Sequence, residues 1–446
     1  MNYKELRGKT IGAAVSGGLD SCTITQWLTD NGVNVVAFTA DLGQPDEVNI
    51  DDIRTRMLAS GALEAVLVDA KEAMAMAGIR VIQYQAQYEG GYWNTTGIAR
   101  QVTVAALLPE MEKRDIKVLT HGATGRGNDQ VRFQLATNLM NPDFKVYAPW
   151  RDTVLWEDFP NPKETDFPGR TEMIDYCNDK GLPITATHDQ PYSTDANLLG
   201  LTHEAGKLES LQVPAMFITP GMGVHPKDAP DEIEYVTIRF ERGMPMAING
   251  QLVTPLEAIM QANEIGGRNG VGIGLHTVEN RFVGIKSRGV YEAPGMALLG
   301  QAYEYILQLV LDRRARKVFK QASDNISEQI YQGYWFDAAT AAARATIDSF
   351  TQRMTATVTV ALYKGNISFH SIAEGSAPHS LYSEETASME AIGSFNHADS
   401  EGFLGVLGVS ARAVNVAGLS AYSPKPVTPE NVPSPEEKAW YVSEYD

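Results

Sequence analysis

The stretch AVSGGLDSCT at residues 14–23 carries the residue types of an anion-binding site. It follows TIGAAV, an apolar run typical of a buried parallel strand, and it precedes SCTITQWLTDN, which predicts a helix. Gly17 and Gly18 allow the backbone to bend and to approach a ligand closely. The first N–H groups of a helix have no intrahelical partner, and Ser16 and Ser21 add hydroxyl donors. This order of strand, glycine turn and helix therefore predicts a site for phosphate groups.

A second stretch has the same order of elements. The apolar strand VLTHG leads into the glycine-rich GATGRGND and then into NDQVRFQLATNL, a predicted helix that begins with two good capping residues. Arg126 and Arg132 place positive charge there. Because glycine-rich loops are common, this pattern fits a plain loop with a helix cap equally well.

The elements around both stretches alternate between strand and helix. VVAFTA, AVLVDA and VYAPWRD are further short apolar strands, and helical patterns separate most of them. The alternation predicts an α/β fold with a doubly wound parallel sheet, which forms a nucleotide-binding domain at residues 1–186. Ligands of such sheets lie at the carboxyl ends of the strands, where both glycine-rich stretches are placed.

The rest of the chain predicts an α+β domain at residues 187–422 and a proline-rich tail at 423–446. EYVTIRFERG alternates as a half-buried strand does. Residues 189–209 are dense in polar groups and fit either a binding loop or the start of a capped helix. A helix after residue 296 carries an apolar stripe that indicates either core or a subunit interface. The stripe consists of Leu299, Ala302, Tyr303, Ile306 and Val310.

Composition limits the partners of the chain. The formal net charge of −18 argues against nucleic acid, which favours a basic surface, and it requires basic residues close to any bound phosphate. The two cysteines form no disulfide framework and no apolar run approaches a membrane span, so we expect no membrane contact and a cytoplasmic protein. The eight histidines show no metal-binding spacing, so no metal site is predicted and His203 is expected to be structural.

Several motifs together resemble one enzyme family. SGGLDS lacks the lysine of a Walker-type loop and resembles the SGGxDS loop of the N-type ATP pyrophosphatases. With TADLGQPDE, YWNTTGIAR, GATGRGND, YSTDANLLGLTHE and VENRFVGIKSRGVYEAPGMALL, in this order, the chain resembles the argininosuccinate synthases from about residue 8 to about residue 420. SGGLDS marks only the superfamily, whereas GNDQVRF, YSTDANLLG and KSRGVYEAPG together are close to diagnostic.

The resemblance implies a reaction. It is the ATP-dependent ligation of L-citrulline and L-aspartate to L-argininosuccinate through a citrullyl adenylate, with release of AMP and pyrophosphate. The resemblance also implies Mg²⁺ and a homotetramer. The residue types agree with such substrates, because ammonium groups favour Asp and Glu whereas carboxylates favour Arg, Thr and Asn.

Carried over motif by motif, the resemblance implies three sets of binding residues. Those for ATP are Ala14, Val15, Ser16, Gly17, Gly18, Leu19, Asp20, Ser21, Cys22, Ala40, Gly122, Thr124, Asp129 and Asp195. Those for aspartate are Thr124, Asn128 and Asp129, and those for citrulline are Tyr92, Arg132, Ser193, Thr202, Glu204, Glu279 and Tyr291. Ser16, Asp20 and Asp129 are the expected catalytic residues, and Asp20 either orients Mg²⁺ or caps its helix.

Two positions depart from the family pattern. Arg126 stands where bacterial relatives carry Lys, and Gly97 stands where some relatives place a Ser beside citrulline.

The alternative function is that of another SGGxDS-loop enzyme, which would adenylate a different small-molecule carbonyl. A tRNA-thiolating enzyme needs a pair of catalytic cysteines and a basic surface, and this chain has neither. An amidotransferase needs a glutaminase nucleophile, but residue 2 is Asn2 and neither Cys22 nor Cys177 lies in a glutaminase-like sequence. A non-catalytic nucleotide sensor would leave the polar motifs at 193–204 and 279–291 unexplained.

Overall fold

The computed structural model describes residues 1–47, 49–159, 169–184, 191–390 and 397–421. The chain divides into two compact units, Met1–Leu381 and Tyr382–Asp446. The predicted domain boundary between residues 186 and 187 and the predicted tail at 423–446 lie outside the described residues. The predicted division into domains therefore stays a prediction.

A parallel sheet forms the first part of the larger unit. Its strands are β1 (Thr10–Ala14), β2 (Asn34–Asp41), β3 (Glu64–Asp69), β4 (Val118–His121) and β5 (Lys145–Tyr147). Their spatial order is β3-β2-β1-β4-β5, and all neighbouring pairs are parallel. The chain runs outward from β1 in one direction to β3 and then returns to β4 on the other side. β1 and β4 therefore flank the switch point at which sheets of this type bind ligands.

Helices cover both faces of this sheet. They are α1 (Leu19–Asp30), α2 (Asp51–Ala59), α3 (Lys71–Gln83), α4 (Thr95–Glu112), α5 (Asp129–Met140), α6 (Thr153–Asp158) and α7 (Arg170–Asp179), with 3-10 helices at Tyr3–Leu6, Glu89–Gly91 and Pro149–Arg151. Alternate residues of β2 enter two separate apolar clusters. Val35 and Ala37 pack in the cluster of α1, α2 and α7, whereas Val36 and Phe38 pack in that of α3, α4 and α5. The doubly wound α/β sheet predicted from the sequence is confirmed.

The remaining strands of the larger unit form two antiparallel sheets. These strands are β6 (Ser193–Asn197), β7 (Gly200–Glu204), β8 (Glu234–Glu241), β9 (Met244–Ile248), β10 (Gln251–Leu252), β11 (Ile273–Asn280), β12 (Lys286–Glu292), β13 (Ala356–Tyr363) and β14 (Asn366–Ile372). One sheet has the order β10-β9-β8-β13-β14 and the other the order β11-β12-β7-β6. The predicted strand EYVTIRFERG is β8, at the centre of the five-stranded sheet.

Four longer helices accompany these sheets. They are α8 (Pro255–Arg268), α9 (Pro294–Val310), α10 (Arg313–Gln332) and α11 (Ala338–Thr351), and 3-10 helices lie at Gly206–Glu209, Ala215–Phe217 and Pro226–Asp228. α9 packs on β8, β13 and β14. All five residues of its apolar stripe are buried in the largest core cluster, so the stripe is core.

Most of the described part of the sequence at 189–209 is a β-hairpin rather than a loop or the start of an α-helix, and the 3-10 helix Gly206–Glu209 follows it. Residues 193–204 form the hairpin of β6 and β7, with Asn197 paired to Gly200 at its turn. Residues 189 and 190 lie outside the described residues.

In its described part, the smaller unit contains α12 (Glu384–Ala387) and α13 (Asp399–Val416). The apolar sequence at residues 403–418 lies mostly in α13, and its large apolar side chains are exposed, as Phe403 and Leu407 illustrate. Among the described residues of the whole chain, none of the helices combines the length and the apolar character that crossing a bilayer requires.

Candidate active site

The first glycine-rich loop joins β1 to α1. Gly17 has φ +74°, in the left-handed region that glycine occupies without strain. Gly18 is extended, with φ −79° and ψ −174°, and is the N-cap residue of α1. Ser21 Oγ accepts a hydrogen bond from Ser16 N at 3.1 Å, which ties the loop to the first turn of the helix. The N–H groups of that turn therefore lie at the carboxyl end of β1, as phosphate binding requires.

The residues on either side of this loop can contact a ligand mainly through their backbone groups. The side chains of Leu19 and Cys22 are buried in the cluster that contains α1, and Val15 N donates to Phe38 O at 3.0 Å. Burial raises the pKa of the Cys22 thiol, which keeps it protonated and unreactive.

Ala40 lies near the carboxyl end of β2, the neighbour of β1. Its side chain is buried, and its carbonyl accepts a hydrogen bond from Gln44 Nε2 at 3.1 Å. A carbonyl oxygen can accept two hydrogen bonds, so the bond from Gln44 does not by itself exclude a nucleotide contact here.

An open cavity of about 250 Å³ brings most of the predicted site residues together. The predicted residues that line it are Asp20, Tyr92, Gly122, Thr124, Asn128, Asp129, Arg132, Asp195, Thr202, Glu204, Glu279 and Tyr291. The predicted residues that do not line it are Ala14, Val15, Ser16, Gly17, Gly18, Leu19, Ser21, Cys22, Ala40 and Ser193. The cavity thus unites the second glycine-rich loop with the four-stranded sheet, and the first loop reaches its wall through Asp20.

One face of the four-stranded sheet explains why residues so far apart in sequence meet here. Asp195, Thr202 and Tyr291 are aligned across β6, β7 and β12, and residues paired across antiparallel strands share a face. Side chains two positions apart along a strand share that face as well. The residues placed on it by this register include Ser193, Asp195, Thr202, Glu204, Thr277, Glu279, Ser287, Gly289 and Tyr291, together with Asn197, Gly200 and Leu275.

Asp129 lies between two arginines. Its Oδ2 accepts from Arg100 Nε at 2.8 Å, and its Oδ1 accepts from Arg132 Nη1 at 2.7 Å. Burial opposes the ionisation of Asp129, but the two guanidinium groups outweigh it and lower its pKa to about 2. Arg132 is itself fixed, because its Nε donates to Tyr331 O at 2.9 Å and its guanidinium lies over the Tyr331 ring. Asp129 is therefore a fixed carboxylate at the first residue of α5.

A group of tyrosines surrounds Glu279. The Tyr92 and Tyr291 rings stack at 4.2 Å, and Tyr291 donates its hydroxyl proton to Glu279 Oε1 at 2.9 Å. Ser287 Oγ donates to the same oxygen at 3.3 Å. Among the described residues, the buried Glu279 Oε2 and the buried Tyr331 hydroxyl have no hydrogen bond of good geometry. Glu279 is nevertheless near Tyr331, because burial raises the pKa of the Tyr331 hydroxyl and the charge of Glu279 raises it further. A half-satisfied carboxylate in the cavity wall is suited to an N–H or ammonium donor of a ligand.

Two contacts attach the β11–β12 turn to the rest of the site. Asn128 Oδ1 accepts from Phe282 N at 2.9 Å, and Arg281 Nη2 donates to Glu204 Oε2 at 3.1 Å. The Thr96 and Thr202 hydroxyls are 3.2 Å apart, which links α4 to β7.

Asp20 is the acid of the first loop that reaches the cavity. Its Oδ1 accepts from Trp150 Nε1 at 3.0 Å. Burial raises the pKa of Asp20 to about 6, although the bond from Trp150 opposes this shift. A Cβ at Gly122 would lie 3.1 Å from Asp20 Cβ, so the two glycine-rich loops approach each other closely at the switch point.

Comparison with known proteins agrees with this architecture. Residues 10–183 match the family described as the arginosuccinate synthase N-terminal HUP domain, and residues 192–414 match the arginosuccinate synthase C-terminal domain. The chain is 43% identical over 401 residues to a protein named argininosuccinate synthase from Rhodopirellula baltica, covering 90% of this chain and 96% of that one. It is 38% identical over 403 residues to one from Desulfitobacterium hafniense, with 90% and 96% covered.

The chain belongs to the argininosuccinate synthase family. The family assignment and the observed α/β architecture confirm the resemblance stated from the motifs.

The two departures from the family pattern lie off the cavity wall. Arg126 is exposed at the tip of the second glycine-rich loop. Gly97 is buried in α4, where a Cβ would lie 3.1 Å from Ile330 O, so the adjacent Thr96 supplies the hydroxyl group on that side of the cavity.

His203 lies on the opposite face of the four-stranded sheet from the cavity residues, since it is adjacent to Thr202 on β7. Its Nε2 is 2.5 Å from Glu292 Oε1, and both side chains are buried. Glu292 also accepts from the backbone N–H groups of Gly221 and Met222. This arrangement supports the structural role expected for His203.

Sequence reasoning missed several residues of the site. Those on the cavity wall are Thr96, Ala123, Gly127, Arg281 and Tyr331. Arg100, which bridges Asp129 and Asp195 from behind the wall, was also missed. Thr96 and Arg100 are separated by one helical turn, and that spacing within YWNTTGIAR was the available signal.

Proposed function

We propose that this chain performs the reaction of its family, in which ATP, L-citrulline and L-aspartate give L-argininosuccinate, AMP and pyrophosphate. The chain is accordingly a ligase of arginine biosynthesis. The observation that carries the proposal is one cavity lined by the second glycine-rich loop, by Asp20 of the first loop and by one face of the four-stranded sheet. Matches to both family domains over about nine-tenths of the chain favour this reaction over adenylation of a different carbonyl substrate.

In this proposal, the phosphates of ATP lie on the N–H groups of the SGGLDS loop. The extended Gly18 and the start of α1 support this position, because they leave backbone donors at the carboxyl end of β1. The adenine lies toward Ala40, at the same edge of the sheet. Ser16 and Ser21 supply hydroxyl groups to the phosphates, and Asp195 contacts the nucleotide from the sheet.

The two amino acids occupy the other walls. Aspartate lies against Thr124, Asn128 and Asp129 at the second loop. Citrulline lies on the sheet face among the tyrosines, where the unpartnered Glu279 Oε2 can accept one of its N–H groups. The other proposed citrulline contacts are Arg132, Ser193, Thr202, Glu204 and the tyrosines Tyr92 and Tyr291.

The chemistry proceeds in two displacements. The ureido oxygen of citrulline attacks the α-phosphorus of ATP and pyrophosphate leaves, which gives a citrullyl adenylate. The amine of aspartate then attacks the ureido carbon, the C–O bond to AMP breaks, and the amine loses a proton. Pyrophosphate and AMP are competent leaving groups once their charge is neutralised, so the site must mainly position the reactants.

Magnesium is proposed to arrive with ATP. Among the described residues, no group of three or more His, Cys, Asp and Glu side chains could hold a metal ion. This fits Mg²⁺, which in nucleotide sites takes one or two carboxylates and completes its shell with phosphates and water. Asp20 is the cavity-lining acid of the phosphate loop, so we assign it to Mg²⁺, which supplies charge neutralisation to the departing pyrophosphate.

Three further expectations accompany the family assignment. They are a nucleotide-binding domain at 1–186 with a synthetase domain at 187–422, a homotetramer, and a cytoplasmic location. The buried stripe of α9 gives the tetramer no support, because it belongs to the core of the larger unit.

The assignment of Asp20 predicts an acid limb in the pH profile. The pKa of Asp20 is raised to about 6, so its ionised form is present above this pH and is lost as the pH falls through it. In the free enzyme, kcat/KM for ATP at saturating Mg²⁺ should fall about tenfold per pH unit below that value. Asp20→Asn should have a lower plateau without this limb. Titration of ATP itself occurs with both enzymes, so the difference between their profiles is the measurement.

Asp30→Asn is the matched control, because Asp30 ends the same helix and pairs with Lys180 at 2.6 Å, away from the cavity. It should keep the wild-type profile. An unchanged limb in Asp20→Asn would show that Asp20 is not the group that titrates.

The proposed reaction is tested by isotope transfer. With ATP, aspartate and citrulline labelled with ¹⁸O in the ureido group, the label should appear in AMP, because the attacking oxygen remains on the α-phosphorus when the C–O bond breaks. Mass spectrometry of AMP and argininosuccinate measures both products in one sample. AMP without label, or AMP formed equally well without citrulline, would contradict this function.

A further inference from the structure

Arg100 lies one helical turn after Thr96 on α4, behind the wall of the cavity. Its Nε donates to Asp129 Oδ2 at 2.8 Å, and its Nη2 donates to Asp195 Oδ2 at 2.5 Å. The Arg100 side chain is 20% exposed, so both contacts are partly shielded from water. One guanidinium therefore bridges the start of α5 and the strand β6.

The two carboxylates that Arg100 joins repel each other. Burial raises the pKa of Asp195, and the negative charge of Asp129 raises it further. Arg100 acts in the opposite direction and lowers this pKa. For Asp129, Arg100 is the strongest influence that favours the ionised form. Without the guanidinium, two acids would face each other in a partly buried space with Arg132 as the remaining close cation.

The geometry of the bridge depends on the shape of the guanidinium. Arg100 uses two different nitrogens of its planar guanidinium, Nε and Nη2, to reach two acids on different elements. A lysine ammonium is a point charge on a flexible stem and does not fix two directions in this way.

We infer that Arg100 is a positioning residue that holds Asp129 against the proposed aspartate position and Asp195 against the proposed nucleotide position. It does so from behind the cavity wall and touches neither substrate. The inference rests on the proposed function. It adds that the second half-reaction, the attack of aspartate on the adenylate, depends on the link that Arg100 makes between α5 and β6.

The test compares the two half-reactions in Arg100→Met. Positional isotope exchange in ATP with citrulline alone reports adenylation, and argininosuccinate formation reports the whole reaction. We expect kcat/KM for aspartate to fall roughly tenfold to a hundredfold, because charge-assisted contacts orient Asp129. Isotope exchange should fall several times less. Arg100→Lys should recover part of the charge effect but not the full aspartate kcat/KM.

Arg114 is the matched control. It also bridges two acids, Glu64 at 2.8 Å and Glu110 at 3.1 Å, near the end of α4 and away from the cavity. Arg114→Met should lower the melting temperature without changing the ratio between the two half-reactions.

A double-mutant cycle separates positioning from a general structural role. If Arg100 acts through Asp129, then Arg100→Met should have much less effect on the aspartate kcat/KM in an Asp129→Asn background than in the wild type. Additive effects, or equal losses of isotope exchange and product formation, would overturn the inference. Failure of the proposed function would be seen differently, as a wild-type enzyme that forms no argininosuccinate at all.

Discussion

Gly18→Val should abolish AMP formation while leaving the fold intact. Gly18 is extended, and a Cβ added there would meet Ser16 Oγ at 3.5 Å, an ordinary contact, so the protein can accommodate a side chain. The added methyl groups would instead occupy the space through which phosphate oxygens approach the loop N–H groups. Loss of preorganised donors to the departing pyrophosphate should lower kcat by roughly a hundredfold to a thousandfold or more. Pyrophosphate release and thermal unfolding followed by circular dichroism are the measurements.

The neighbouring glycine provides the contrast. Gly17 has φ +74°, and a Cβ there would lie 2.9 Å from Arg56 Nη2 and 3.0 Å from Ile53. Gly17→Ala should therefore lower the melting temperature, whereas Gly18→Val changes it little and removes activity. Wild-type turnover in Gly18→Val would refute the assignment of this loop to the phosphates.

The parallel sheet could be predicted because its signals are local. Each strand is a short apolar run, and each of the two glycine-rich stretches follows one directly. The adjacency of β1 and β4 is not local, because three strand–helix steps separate them along the chain. The close approach of Gly122 to Asp20 depends on that adjacency and could not be derived from either motif alone.

The hairpin at 193–204 shows a different limit. Strand prediction relies on alternation of polar and apolar residues, but here one face carries the polar site residues and the other carries Thr194 and His203. That second face also carries the apolar Ala196 and Leu201, so polar and apolar residues alternate only weakly and the sequence fits a loop or a helix start as well as a strand. The polar residues that the site requires on one face of the sheet therefore weaken the alternation by which a strand is recognised in the sequence.

Arg100 was missed because its partners are distant in sequence. Asp129 lies 29 residues away, at the start of α5, and Asp195 lies 95 residues away, on β6 of the four-stranded sheet. The stripe on α9 was ambiguous for a related reason. Sequence shows that Leu299 and Ile306 share a face, but only the packing of α9 on β8, β13 and β14 identifies that face as core.

Asp129→Asn should cause a large loss of kcat/KM for aspartate. Asp129 begins α5, and a carboxylate at a helix start is ordinarily worth about 0.3–1 kcal/mol of stability. Its two arginine partners add to this, since a lowered pKa means that the folded state favours the ionised form. That stabilisation is complete above the usual aspartate pKa of 3.8 and is lost as the pH falls toward about 2. The variant should therefore also melt at a lower temperature at neutral pH, so stability alone does not test the substrate role.

Asp51 provides the matched control, because it also begins a helix but does not line the cavity. It is the first residue of α2 and pairs with Arg54 three residues later at 3.5 Å, as Asp129 pairs with Arg132 at 2.7 Å. Asp51→Asn should reproduce part of the stability loss through the helix end and leave all kinetic constants unchanged.

Kinetics then decide the role of Asp129. If its carboxylate holds the ammonium group or the attacking amine of aspartate, the lost contact is worth about 1.5–3 kcal/mol, or a loss of roughly 10-fold to 150-fold in kcat/KM for aspartate. Adenylation of citrulline should survive better, because aspartate enters only in the second displacement, and isotope exchange in ATP measures that first step directly. Assays well below both melting temperatures keep the stability difference out of the comparison. If exchange and product formation fall together while the dependence on aspartate concentration is unchanged, Asp129 serves the nucleotide, and the two arginines orient it toward ATP rather than toward the amine.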